Sequence, residues 1–261
     1  MVPQDTSAPA PGWSQAELDA NPHAHADKPA KVRGMFAAIA RSYDLNNRLH
    51  SRWRDQAWRR FAVRASGVRA TDDVLDVACG TGDLTEAFAR AGARRVIGAD
   101  FTPQMLDIAR AKRSRLPAPV RERLDYQEGD AQRLPFPDAA FDIVSIAFGI
   151  RNVQDPPRAL AEFRRVLRPG GRLVVLEFDR PRSAPVRWFN TFYGARVMPL
   201  TATLISRDRS GAYRYLPRSV GTFMTSHEML AALRRAGFVE CSATPLTLGI
   251  CACSRGVVPP V

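Results

Sequence analysis

Val74-Leu75-Asp76-Val77-Ala78-Cys79-Gly80-Thr81-Gly82-Asp83 is a β-prone apolar run that passes through an acid into a Gly-x-Gly turn and a helix start. Further on, a second acid, Asp100, closes the run Val96-Ile97-Gly98-Ala99. This is the layout of a nucleoside-binding βαβ unit, with glycines for the tight turn and an acid for the ribose hydroxyls. A dinucleotide fingerprint requires a third glycine at position 85, where Thr85 stands. Asp83 is also a poor neighbour for a pyrophosphate on a helix N-terminus. Acids around such a turn suit a ligand with a cationic end, and the sulfonium and ammonium of S-adenosylmethionine meet that need. The competing reading is structural: Asp76 and Asp83 cap a helix and the glycines only make a turn.

Outward from this unit the chain alternates. Strands are predicted near 73–78, 95–99, 124–128, 141–147 and 172–178, with helices near 82–91, 103–115 and 156–168. Pro103 suits the first turn of a helix, and Pro169-Gly170-Gly171 stops a helix ending at Arg168. A helix near 226–236 and strands near 238–244 and 247–254 follow, with one antiparallel strand expected at the sheet edge. Such alternation predicts an α/β fold: a mostly parallel seven-stranded sheet with helices on both faces. Before it, Met35, Phe36, Ile39, Tyr43, Leu49, Trp53, Ala57 and Phe61 recur at helical spacing, predicting a helical cap over 31–65. Residues 1–30, rich in Pro and Ala and without periodicity, read as a flexible tail. Residues 183–225, with scattered aromatics, read as an insertion on the substrate side.

With 261 residues, 45% hydrophobic, the chain has enough material for one large domain with a full core. The net charge of +12 makes a polyanionic partner worth weighing. Nearly all of that charge is arginine; Lys28, Lys31 and Lys112 are the only lysines. The basic residues of 48–60 read either as a solvated helix face or as a contact for anionic headgroups. The cysteines form no metal pattern: Cys251 and Cys253 alternate on a strand, Cys241 lies on the strand before, and Cys79 is alone in the turn. Reduced, buried thiols fit a cytoplasmic protein. No apolar stretch approaches the ~20 residues of a membrane span. Base-amino methylases of nucleic acid carry an Asn/Asp-Pro-Pro-Tyr/Phe motif after the fourth strand; Ala147-Phe148-Gly149-Ile150 stands there instead.

In an open parallel sheet, ligands lie beyond the carboxyl ends of the strands. The candidate cofactor contacts are therefore Asp76, Gly80, Thr81 and Gly82 after the first strand, Asp100 after the second, and Asp130 and Ala131 after the third. Met105 either packs on an adenine face or fills a helix core, and Asp130 either accepts from an adenine amino group or caps a turn.

Further segments make the chain resemble the ubiquinone/menaquinone biosynthesis C-methyltransferases, within the class I S-adenosylmethionine-dependent group with its Rossmann-like fold. They are Tyr43-Asp44-Leu45 with Asn47, Leu134-Pro135-Phe136-Pro137-Asp138, Phe148-Gly149-Ile150-Arg151-Asn152-Val153, Arg165 to Gly171, and Leu176-Glu177-Phe178. The resemblance spans about 32–256, inside a methyltransferase domain set at 31–258. It implies catalytic elements at Arg151, Asn152 and Tyr43, S-adenosylmethionine as methyl donor and no metal. The implied substrate is a polyprenylated quinol, with demethylmenaquinol favoured over a methoxy-benzoquinol. It also implies reversible contact with the inner face of a membrane, and a homodimer is allowed. Where family members carry Ser-x-Gly-x-His-x-x-Trp, this chain has Trp53 for the glycine and Asp55 for the histidine, which puts substrate preference in question. Arg151 is charged at any reachable pH, so its role is to stabilise a phenolate or orient a water; the structural alternative is an ion pair with Asp155 or Glu177. Tyr43 reads equally as a core aromatic. His50 is a further candidate base. A small-molecule O-methyltransferase and a non-catalytic cofactor-binding module are the rival functions.

Overall fold

The computed structural model describes residues 12–260 except 20, 199–200 and 204–210. Three helices precede the sheet: α1 (Gln15–Asp19), α2 (Lys28–Ser51) and α3 (Arg54–Ser66). Then come β1 (Asp73–Val77), α4 (Asp83–Arg90), β2 (Arg95–Asp100), α5 (Pro103–Arg113), α6 (Ala118–Arg121), β3 (Leu124–Glu128) and β4 (Phe141–Ala147). A 3-10 turn (Ile150–Asn152) leads into α7 (Pro156–Val166) and β5 (Leu167–Phe178). Next are α8 (Ala184–Phe192), running on into a π-helical turn (Tyr193–Val197), then α9 (Ala212–Thr222) and α10 (Ser226–Arg235). The chain finishes with β6 (Val239–Leu246) and β7 (Cys251–Val257).

The seven strands lie in the order β3-β2-β1-β4-β5-β7-β6. β1 to β5 are mutually parallel. β7 runs antiparallel to both β5 and β6. The antiparallel strand is thus one place in from the edge: the β6–β7 hairpin folds back and wedges β7 against β5. Residues 247–249 form the 3-10 turn of that hairpin instead of opening its second strand. Pro169-Gly170-Gly171 also behaves differently from a plain helix stop. β5 already begins at Leu167, and the triplet forms a bulge where the partner of Phe141 is Leu167 and that of Ile143 is Arg172; Gly170 takes φ +73° there.

Continuous apolar strands are required because both faces of the sheet are covered. Successive residues of β1 alternate sides. Leu75 and Val77 join Leu160, Phe163 and Leu233 of α7 and α10, while Val74 joins Val63, Leu84 and Phe88 of α3 and α4. A separate cluster lies under the cap, where Met35 and Ile39 of α2 meet Tyr213 and Tyr215 of α9. The chain ahead of residue 31, expected as a tail, contributes to it from Trp13 onward. Trp13 and Leu18 are buried, and the indole of Trp13 stacks on Tyr215 with centroids 4.9 Å apart. Two large apolar side chains at the right places outweigh a polar, Pro-rich composition. Residues 1–11 of that expected tail lie outside the described residues. Lys28 and Lys31 are buried too: Lys31 pairs with Glu17 and Asp27, and Lys28 donates to the Val153 carbonyl at 2.6 Å.

Candidate active site

The strand order reverses beside β1, between β2 on one side and β4 on the other, which is where ligands bind in open α/β sheets. Both strands flanking that point end in a non-glycine residue with left-handed backbone: Ala78 after β1 (φ +51°) and Phe148 after β4 (φ +57°). Such strain persists only where the surrounding structure enforces it, and it collects at functional sites. The glycine turn follows Ala78. Gly82 has φ +87°, and a Cβ there would stand 2.3 Å from the Tyr126 hydroxyl. Only glycine permits this approach.

A narrow cavity opens at the strand ends, lined among others by Gly80, Asp100, Met105, Ala131, Phe148 and Asn152. Asp100 is the fixed polar point in it. Its two carboxylate oxygens accept from the backbone N–H of Gly80 and of Thr102, each at 2.8 Å. Burial pushes this carboxyl up from its ordinary value, against the pull of those N–H groups. Each oxygen keeps a second lone pair, so the group is suited to a vicinal diol. Met105 is buried in α5 and still lines the cavity, so it fills a helix core and forms a wall at once. Asp130 lines the rim, is exposed, and accepts from the Gln132 backbone N–H at 2.9 Å. Ala131 lies buried beneath it.

Three of the expected cofactor contacts sit elsewhere. Asp76 does not line the cavity. It is buried under the turn, accepting from the hydroxyls of Ser145 (2.8 Å) and Thr85 (2.7 Å). Burial raises it to about 6. Thr81 donates to Asp44 of α2, and Gly82 packs on Tyr126. These residues hold the turn in shape. Asp83 likewise points away from the cavity. It pairs with Lys112 and Arg48 and accepts from Gln56 at 2.8 Å, so its charge is spent within the protein.

The second cavity is far larger, about 1170 Å³, and lies between α2, α3, the segment after β5 and α9. Phe36, Tyr43 and Phe148 line both cavities and mark where they join. The 3-10 turn sits at this junction. Asn152 faces the narrow cavity and Arg151 the wide one. Arg151 Nη1 donates to the Phe148 carbonyl and to Glu177, both at 2.7 Å. The structural alternative for Arg151 is therefore realised with Glu177, not Asp155, yet the side chain still lines the chamber. Its Nε is buried without a hydrogen-bond partner among the described residues. Asn152 donates to the Phe148 carbonyl (3.3 Å) and accepts from the Tyr215 hydroxyl (3.0 Å). Tyr43 is half-buried; burial pushes its phenol up, while Arg59, its bond with Asn47 and Arg151 act the other way. His50 Nδ1 lies 3.0 Å from the Tyr193 hydroxyl, and desolvation lowers its pKa.

The model of the ubiE/COQ5 methyltransferase family matches residues 24–258. The chain belongs to that family. It is 46% identical over 226 residues to a demethylmenaquinone methyltransferase of Thermus thermophilus, covering 86% of this chain and 100% of the relative. It is 40% identical over 233 residues to a ubiquinone/menaquinone biosynthesis C-methyltransferase UbiE of Teredinibacter turnerae, covering 88% and 92%. Among solved structures, a complex of the Haloferax volcanii Trm112 methyltransferase activator with a putative methyltransferase aligns with TM-score 0.60 at 20% identity, over 86% of this chain and 97% of that one. At that identity the likeness speaks for the fold alone. Two charged residues went unread in the sequence, Arg59 lining the wide chamber and Lys112 behind the glycine turn. Arg59 was hidden in a basic run, although Asp55 four residues earlier signals an internal i,i+4 pair. Lys112 bridges Asp44 and Asp83; a lone lysine in an arginine-biased chain was the available sign.

Proposed function

We propose that this methyltransferase moves a methyl group from S-adenosylmethionine to a ring carbon of a polyprenylated quinol, demethylmenaquinol in first place. The observation that carries the reading is the junction of a narrow cavity holding Asp100 with a wide chamber, lined by aromatic side chains and arginines among others, at Tyr43, Phe148, Arg151 and Asn152. When bound, S-adenosylmethionine supplies an electrophilic methyl. Asp100 receives the ribose hydroxyls, Met105 and Ala131 form walls for the adenine, and Asp130 at the rim accepts from its amino group. Gly80 leaves room above the turn, while Asp76, Thr81 and Gly82 keep that turn rigid from below.

A hydroquinone ring, once ionised, carries enough electron density on the carbon ortho to oxygen to attack without a metal. The protein must then hold carbon and methyl in line and favour the anionic oxygen. Arg151, with its unsatisfied Nε, supplies positive charge to that oxygen. Asn152 has one amide N–H beyond those already used and donates it to a quinol hydroxyl. Tyr43 closes the junction. The chamber has room for the first units of an isoprenoid tail. The rest of the tail remains in lipid, towards which Leu45 and Leu49 of α2, Trp53 between α2 and α3, and Trp188, Phe189 and Phe192 of α8 are exposed. Arg52, Arg54 and Arg187 line the same chamber and suit anionic headgroups. We therefore place the protein at the cytoplasmic face of a membrane. Among the described residues no helix is long and apolar enough to cross one.

The test is transfer from methyl-labelled S-adenosylmethionine in detergent, with short-chain demethylmenaquinol and a methoxy-benzoquinol offered separately, each reduced and oxidised. Label in the reduced naphthoquinol alone is the expected result. Label in both quinols moves the protein to a dual role in the two quinone routes, the alternative favoured by the relatives named for both. Label in neither, with the cofactor bound, removes the quinol reading.

A further inference from the structure

Arg59 stands apart from the basic run around it. Arg54 and Arg60 on the same helix are exposed, whereas Arg59 is 7% exposed. Its Nη1 donates to the Asp55 carboxylate at 3.2 Å, and its guanidinium carbon lies 5.5 Å from the ring centroid of Phe148. Asp55 is itself held by the Ser51 hydroxyl (2.8 Å) and by the amide of Gln56 (2.9 Å), so the acid that carries Arg59 is fixed. The Nε of Arg59 is buried with no hydrogen-bond partner among the described residues, and the side chain lines the wide chamber. Phe148 therefore has one guanidinium over its ring and a second, that of Arg151, at its carbonyl. Each has one acid as partner, Asp55 and Glu177, and each keeps a buried Nε without a hydrogen-bond partner among the described residues, on a side chain that lines the chamber.

We propose that Arg59 is a second cation of the reaction centre, which takes a quinol oxygen opposite Arg151 and holds the ionised ring. The inference rests on the quinol reading given above. A positive group within ~4–6 Å of a phenol lowers its pKa by about 1–3 units, and the effect grows where water is excluded. Arginine suits the task because it cannot lose its own proton; the hydroxyl proton passes to solvent as the quinol binds. Two fixed cations, one on α3 and one on the 3-10 turn, also select a ring bearing two oxygens over a simple phenol. That explains why a residue in a seemingly solvated run is buried against Phe148.

A nitrophenol, whose ionised form absorbs visible light, is titrated on the full-length wild type and on R59M, R59Q and R59K. In the wild type the bound phenol is expected to ionise at lower pH than in water. R59M and R59Q should raise that midpoint by about one unit, and R59K should restore most of it. R59Q keeps a hydrogen bond to Asp55 and serves should R59M fail to fold. In the methyl-transfer assay, R59Q should lower kcat about 10- to 100-fold at neutral pH, with the loss narrowing as the pH rises and cofactor affinity unchanged. A wild type that does not bind the phenol or leaves its midpoint unmoved overturns the inference. So does an R59Q whose midpoint matches the wild type or whose kcat loss is the same at every pH; Arg59 then only anchors α3. A wild type that methylates no quinol defeats the proposed function, while the phenol titration still reads Arg59 by itself.

Discussion

The two cavities that meet at Phe148 are built on opposite plans. On the proposed cofactor side the carboxylates beneath and beside the turn are paired. Asp76 accepts from two hydroxyls, Asp100 from two backbone N–H groups and Asp44 from Thr81. On the substrate side the chamber is wide, and His50, Arg59 and Arg151 each keep a buried nitrogen without a hydrogen-bond partner among the described residues. Buried polar atoms are normally satisfied. The lesson is that the proposed cofactor half is largely finished before its ligand arrives, the buried Thr102 hydroxyl beside Asp100 being the exception among the described residues, whereas the proposed substrate half retains hydrogen-bonding capacity for a ligand to use.

The sharpest test of that contrast is Arg151→Met. The change strands the Glu177 carboxylate, which is buried and has Arg151 as its only ion-pair partner among the described residues. Loss of one member of a buried pair costs about 3–5 kcal/mol, read by denaturant unfolding. The double variant R151M/E177Q should recover most of the stability and none of the methyl transfer. If the single variant loses less than about 1 kcal/mol, the pair is not internal and the chamber is wetter than its geometry implies.

The matching break on the cofactor side is Gly82→Ala. The new Cβ meets the Tyr126 hydroxyl at 2.3 Å and its ring at 2.9 Å, on a backbone at φ +87°. Overpacking against a buried ring plus left-handed strain should destabilise by about 2–4 kcal/mol. Adding Y126F removes only the outermost atom, so it should return little. Full recovery in the double variant would mean that the turn is adaptable rather than preformed.

How far each half can be read from sequence follows the same division. The turn and cavity of the proposed cofactor side are legible because their information is local: Gly80, Gly82 and Asp100 sit at spacings set by a turn and one crossover. Even there the spacing does not separate residues that line the cavity from those packed behind it: Asp76 and Thr81 bond to Ser145 and Asp44 and do not line the cavity. The substrate side depends on contacts between distant segments. Tyr215 reaches Asn152 across 63 residues, Trp13 stacks on Tyr215, and β7 inserts beside β5. Periodicity predicts that such segments are helices or strands, not what they pack on. Hence a segment read as tail supplies a buried indole, and a basic run supplies a buried cation.

Asp76 offers a pH test of the preformed turn. Burial raises its carboxyl to about 6, although Thr85 and Ser145 donate to it. An acid whose folded value is raised is most favourable to the fold while protonated, below its unfolded value near 4. That contribution then fades as the pH climbs through about 6. The difference in unfolding free energy between wild type and D76N should therefore drift by on the order of 2 kcal/mol between those limits, in the direction that favours D76N at the upper one. A flat difference would mean that water reaches the carboxylate and that the turn is not sealed from below.

The smallest effect expected is the most informative about how the halves are joined. Tyr215 donates to Asn152 Oδ1 at 3.0 Å while its ring carries Trp13. Burial holds its phenol at about 12, so it remains a donor throughout the working range. Tyr215→Phe keeps the stacking and removes only that hydrogen bond, worth about 1 kcal/mol. If the bond orients the Asn152 amide towards the quinol, kcat should fall by roughly 3- to 10-fold with cofactor affinity unchanged. If instead the turn of 150–152 is set wholly by the Phe148 carbonyl, kcat stays put and only stability drops. A loss in cofactor affinity would be the surprise: it would mean that the finished half leans on the open one, and that the two plans are coupled through Asn152.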